Sequence, residues 1–149
     1  MKINTKVNGK DIQITLTKEQ LSEIRKQTDN IKTIDDIQSY EDACKILHQE
    51  EADEDTFTYE QDWINHQILT IVKASNYIDN NYQVYKPNFN DNTYKYLPWF
   101  KKTSSGWVLH SLGSYVSYGF CPVGFYYKNQ QSGETIVKRF ITLYNKWLG

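Results

Sequence analysis

The sequence predicts an α+β domain, with an N-terminal β-hairpin and a mostly antiparallel sheet covered by helices packed on one face. Three observations predict it. Near the start, polar and apolar residues alternate on both sides of an Asn8-Gly9 pair. In the middle and at the end of the chain, apolar residues recur at helical spacing. Between those stretches, residues 93–128 (TYKYLPWFKKTSSGWVLHSLGSYVSYGFCPVGFYYK) are dense in Tyr, Trp and Phe, punctuated by Gly and Ser, and without a carboxylate. That composition suits short strands. At 149 residues the chain has the size of one domain, 1–149. Aromatics make up 15% of it, so the core is expected to use few, large side chains.

The elements follow in order. Ile3, Thr5 and Val7, then Ile12, Ile14 and Leu16, are the alternating arms of the hairpin. Asn-Gly suits a turn whose central residues both need positive φ. Thr17 and Gln20 form a capping box that opens a short helix with Leu21 and Ile24 on its apolar side, ending near residues 28–30. Thr33 or Ser39 caps a second helical piece with Ala43, Cys44 and Leu47 as its buried stripe. Residues 49–55 (QEEADED) hold five acids and read as a solvated acidic loop. The main helix is expected over Tyr59 to Ile78, opened by a Thr58–Gln61 capping box. Ile64, Ile68, Ile71, Val72 and Ser75 lie on its buried side, Trp63 at the flank and His66 on the polar side. Residues 79–92 form an Asn-rich loop whose Tyr82, Tyr85 and Phe89 are too many aromatics for a free linker.

Strands are expected over Tyr94 to Phe100, Trp107 to Leu112, Tyr115 to Cys121 and Gly124 to Lys128, with a turn over Lys101 to Gly106. Ser132 caps a single last helix running to Leu148, with Ile136, Phe140, Leu143 and Trp147 as its stripe and Tyr144 beside it.

Charge is unevenly spread. Residues 1–62 carry 8 Lys/Arg and 15 Asp/Glu, and residues 63–149 carry 9 and 3, so −7 and +6 give the net −1. Neither half is basic enough to signal nucleic-acid binding. Met1 to Leu16 has no continuous apolar run, so no signal peptide is expected, and no run is long enough to span a membrane. Cys44 and Cys121 are expected as reduced, buried thiols of a cytoplasmic protein.

No motif fixes a chemistry. There is no phosphate-binding glycine loop, and Ser104-Ser105-Gly106 reads as a turn. His110 and Cys121 fall in neighbouring expected strands, the one arrangement that suggests a thiol nucleophile and base. No catalytic residue, cofactor or metal is expected, and the protein reads as a non-enzyme. The candidate ligand- or partner-binding surface is the sheet face carrying Trp99, Trp107, Tyr115 and Tyr118, with Lys101 and Lys102 for phosphate contacts. Phe100, Tyr126 and Tyr127 extend the same aromatic set, and core packing is the competing role for all of them.

Several segments recur in a known order: a hairpin followed by TKEQLSEI (Thr17 to Ile24), IKTIDDIQSYEDACKIL (Ile31 to Leu47), YKPNFN (Tyr85 to Asn90), YKYLPWF (Tyr94 to Phe100) and KRFITLYNKWL (Lys138 to Leu148). In this order they resemble a family of small uncharacterised proteins from bacteriophages and prophage-like elements of gut bacteria. The resemblance implies a protein made in the host cytoplasm. Taken with the aromatic surface, that origin gives the expected function: a non-enzymatic binding protein acting there on a host protein or a small nucleotide-like ligand, with the blunting of host defence added by analogy with the origin alone. The alternative is a phage structural or assembly protein that self-associates as a homo-oligomer. The resemblance implies no catalytic residues.

Overall fold

Lys2–Val7 (β1) and Lys10–Thr15 (β2) pair antiparallel, with Lys2 opposite Thr15 and Val7 opposite Lys10. The computed structural model describes these two strands as backbone, and residues 17–20, 22–23, 32–116 and 124–149 with their side chains. The Asn8-Gly9 turn and the end of the first helix lie outside the described residues. The capping box at Thr17 does form: the Thr17 N–H donates to Gln20 Oε1 at 3.0 Å and the Gln20 N–H to Thr17 Oγ1 at 3.2 Å.

Both later cap candidates are used. The Thr33 N–H donates to the Asp36 carboxylate at 2.6 Å and closes a 3-10 turn, Ile34–Asp36. Ser39 Oγ accepts the Asp42 N–H at 3.1 Å and opens α1, Tyr40–Leu47. Ala43 and Cys44 are buried as their spacing requires, but Tyr40 and Ile46 join them, while Leu47 is half-buried.

The central element is α2, Glu60–Asp79, a helix of 20 residues. Ile64, Ile68, Ile71, Val72 and Ser75 are all buried along it. Its N-cap is Tyr59, one residue later than expected, so the Thr58–Gln61 capping box is absent, and the Gln61 amide donates instead to the Trp147 carbonyl at 2.9 Å. His66 does not sit on a polar face. Its ring is wedged among Tyr40, Phe57 and Trp63, with centroids 5.1–5.9 Å away. The Tyr40 hydroxyl, already accepting the Ala52 N–H, lies 3.2 Å from His66 Nε2. Burial, then the nearby charge of Lys73, lowers the proton affinity of this imidazole. The cluster also anchors the acidic loop, whose Glu50, Glu51, Asp53, Glu54 and Asp55 are all exposed.

Lys95–Thr103 (β3) and Gly106–Tyr115 (β4) form an antiparallel pair, longer than the expected strands and joined by Ser104-Ser105 alone. Lys101 to Thr103 are therefore strand and not turn. Gly106, at φ +120°, supplies the backbone conformation on leaving the turn. A bulge leaves His110 unpaired: Trp99 faces Ser111, but Phe100 faces Leu109. The extra residue puts Leu109 on the same side as Leu112, facing the helices. Strand alternation alone would have put these two on opposite sides.

The fourth expected strand, Gly124 to Lys128, makes one bridge, Tyr127 to Tyr96. On its other side the segment is held by a side chain. Asn76 Nδ2 donates to the Tyr126 carbonyl at 2.7 Å, and its Oδ1 accepts the Lys128 N–H at 2.7 Å. The expected third strand, Tyr115 to Cys121, lies mostly outside the described residues.

The last helix is two. α3 (Gln130–Arg139) is capped by Asn129, which accepts the Ser132 N–H at 3.1 Å. Ser132 is inside the helix and donates instead to Asp79 at 2.9 Å. α4 (Ile141–Leu148) follows after a break at Phe140. Arg139, just before the break, is pinned through its guanidinium to the Ile34 and Ile37 carbonyls and to Asp35. The break re-phases the stripe: Tyr144 is fully buried against Tyr127, while Phe140, Leu143 and Trp147 are half-buried. Burial pushes both of these phenols above their ordinary range.

Two outcomes test this packing. A Cβ on Gly133 would lie 2.8 Å from both Leu112 Cδ1 and Tyr127 Cγ. Gly133→Ala should therefore destabilise by about 1–3 kcal/mol in denaturant titration, against the gain of about 1 kcal/mol that Gly→Ala brings to an open helix interior. A gain would overturn the close approach. Asn76→Leu should cost about 2–4 kcal/mol by leaving two backbone groups unpaired, and wild-type stability would show that the clamp is dispensable.

Candidate functional site

The sheet face away from the helices starts at Trp99. Its indole lies across Gly113, where a Cβ would meet Trp99 Nε1 at 2.6 Å and Tyr115 Cε2 at 3.2 Å. Gly113 is thus the gap that lets the two rings flank one another over the sheet. Trp99 is 53% exposed, and Val108, opposite Lys101, is 39% exposed. Lys101 and Lys102 are both exposed.

Trp107 does not belong to this group. Its strand neighbours put it on the helix side, its indole N–H is buried without a partner among the described residues, and Lys102 Nζ sits 4.8 Å over its ring. The Asn145 side chain of α4 holds the Trp107 backbone on both sides, accepting its N–H at 2.6 Å and donating to its carbonyl at 2.8 Å. Phe100 packs on Tyr144 and Tyr127 is buried, so these two are core, while Tyr126, also largely buried, borders a cleft away from this face. Tyr118 lies outside the described residues, as does Cys121, and with it the His110–Cys121 pair. The structure therefore brings Trp99, Tyr115 and Lys101 to one face and separates Trp107 from them.

A larger concavity lies elsewhere. A cleft of about 680 Å³ opens between α2, the loop after it and the 124–126 segment. Lys73, Asn76 and Tyr77 line it from α2, Tyr85, Lys86 and Phe89 from the loop, and Tyr126 from the clamped segment. Its volume is that of a small-molecule site. Among the described lining residues none is acidic and two are lysines.

The loop wall is held by a buried charge. Lys95 at the start of β3 is 0% exposed, and its ammonium donates to Asp91 Oδ1 at 2.7 Å, the Thr93 carbonyl at 2.8 Å and the Val116 carbonyl at 3.1 Å. The same Nζ lies 5.5 Å from the centre of the Phe89 ring, and Phe89 packs edge-on against Tyr126 at 5.3 Å. Three donors meet three oxygens, which is what a buried ammonium requires. Upstream, the Asn80 amide donates to the Gln83 and Val84 carbonyls, and Lys128 Nζ donates to Asn80 Oδ1 at 2.7 Å. Tyr82 donates to the Lys32 carbonyl at 2.7 Å. The loop thus packs down, as its aromatics predicted. Burial raises the Tyr85 phenol above its ordinary range.

The sequence signalled the loop but not its partners. Nothing in the spacing links Lys73 to Phe89 or Tyr126. Among the described residues no cluster of His, Cys, Asp or Glu could hold a metal, and no helix is long and apolar enough to cross a membrane. Comparison with family models, with curated proteins and with solved structures finds no match.

The Lys95 pairing has a pH signature. Hydrogen bonds from Lys95 and Thr93 hold the Asp91 carboxyl at about 2, below its ordinary 3.8. A depressed carboxyl contributes stability that is present above its unfolded value and lost as pH falls through the folded one. Stability should therefore decline from pH 4 towards pH 2, and Asp91→Asn should flatten that part of the curve in thermal unfolding. An unchanged acid limb in the variant would show that Asp91 does not carry it.

Proposed function

We propose that this chain is a non-enzymatic binding protein that holds a small nucleotide-like ligand in the aromatic cleft. The setting is the one its sequence resemblance implies: the cytoplasm of a phage-infected or lysogenised cell. One observation carries the reading. Tyr85, Phe89 and Tyr126 line a concavity together with Lys73 and Lys86, and no carboxylate shares it among the described residues. Aromatic faces accept a base of any identity by stacking, at about 1–3 kcal/mol per base. Ammonium groups offset the charge of a phosphate as mobile point charges. Sequestering such a ligand would deprive the host of a signal or substrate, which is how binding alone would blunt a defence.

A second reading, docking on a host protein, is supported by the exposed Trp99 beside Tyr115, with Lys101 and Val108 on the same face. Exposed tryptophans are frequent interface anchors. Self-association as a structural protein would use the same face.

The test is native mass spectrometry of the protein purified from its host cell, followed by calorimetry with a panel of nucleotides. A mass excess that is lost on denaturation, with the released compound absorbing like a nucleobase, is the expected result. Tyr85→Ala should weaken binding by about 5- to 150-fold, and Trp99→Ala should leave it unchanged. The reverse pattern would move the site to the sheet face. A bare mass with no binding from the panel would overturn the ligand reading, and a bare multiple of the 17.6 kDa chain would favour assembly.

A further inference from the structure

A second cavity, of about 780 Å³, lies on the other side of the loop wall. The two cavities share Tyr77, Val84, Tyr85 and Lys86, so one strip of chain borders both. Their linings differ in kind. The first is dominated by the rings of Tyr77, Tyr85, Phe89 and Tyr126, with Gln49, Asn76 and Lys73 as polar members outside the shared strip. The second adds Lys18, Ser22, Asn80 and Gln83, which are polar or cationic. Among the described residues neither has an acid in its lining. Lys18, Lys73 and Lys86 are exposed and form no ion pair among the described residues. The three cations are thus spread over the two cavities: Lys73 lines the first, Lys86 the wall they share and Lys18 the second.

We infer that the two cavities are halves of one site, and that its ligand class is a nucleoside polyphosphate. The inference rests on the nucleotide-like reading above and extends it. The base stacks in the cavity of Tyr85 and Phe89, the first phosphates pass Lys86, and the distal phosphates reach Lys18. A monophosphate ends at the shared wall. A chain of phosphates carries its added charges past Lys86 into the cavity that Lys18 lines. Binding needs no bond to form or break.

The experiment is calorimetric titration of the full chain with the mono-, di- and triphosphates of adenosine and of guanosine, without divalent cation. Affinity should rise at least about tenfold from mono- to triphosphate, the change that one good charged contact brings. Lys18→Gln should return the triphosphate to the monophosphate's affinity and leave the monophosphate unchanged. Lys73→Gln should weaken all members of the series. Lys18 is exposed, so thermal unfolding of the variant should match wild type and serves as the control for folding. Equal affinity across the series, or equal weakening of mono- and triphosphate by Lys18→Gln, would overturn the two-cavity site while leaving nucleotide binding intact. No binding by any member would overturn both readings.

Discussion

The amide of Asn76 is the point on which the two halves of the structure meet. It is buried on α2, so each of its polar atoms needs a partner. Both partners come from one short segment, the Tyr126 carbonyl and the Lys128 N–H, 50 and 52 residues away in sequence. The other edge of that segment bonds to Tyr96 of β3, with N–H to carbonyl distances of 2.7 and 2.9 Å in the two directions. A helix side chain thus replaces a neighbouring strand. With the backbone held on both edges, Tyr127 turns into the core against Tyr144 and Tyr126 lines the cleft. Asn145 repeats the device at Trp107, where the backbone groups face away from β3. Amides on α2 and α4 thus satisfy backbone edges that a neighbouring strand would otherwise pair.

Burying Lys95 is costly unless every donor is paired. The cost is offset locally, by a carboxylate four residues back and two carbonyls. The consequence reaches further, because Asp91 and Thr93 belong to the loop that walls the cleft. Removing Lys95 would free the loop and leave Phe89 without its cation. The rigidity of the proposed site is thus tied to a charge that never touches the ligand.

The charge asymmetry of the chain has a structural counterpart. The acidic stretch at residues 50–55 stays in water, held by the Tyr40–Ala52 hydrogen bond. Arg139 and Asp35 join the basic and acidic halves at 2.9 Å, with Asp35 largely exposed, a position where an ion pair adds little stability. The energetic weight of Arg139 lies in its bonds to two backbone carbonyls beside the buried Ile37.

Local signals read true where local chemistry decides. Ser39 and Thr17 cap because a hydroxyl or amide three residues away is all that a cap requires. The buried stripe of α2 follows from a period of 3.6, and the α+β class from the succession of patterns. Tyr85 and Phe89 announced a packed loop by their number alone. The rest was decided by partners far along the chain. The bulge at His110, the break at Phe140 and the absent cap at Gln61 each go with a distant contact, with Leu109 facing the helices, Arg139 pinned to the 34–37 turn and Gln61 drawn to Trp147. The aromatic set of residues 99–127 looks uniform in sequence. Tertiary packing sorted it into Trp99 and Tyr115 outside, Phe100 and Tyr127 inside, and Tyr126 on the cleft, because a ring's role depends on what lies opposite it, and spacing along one strand does not carry that information.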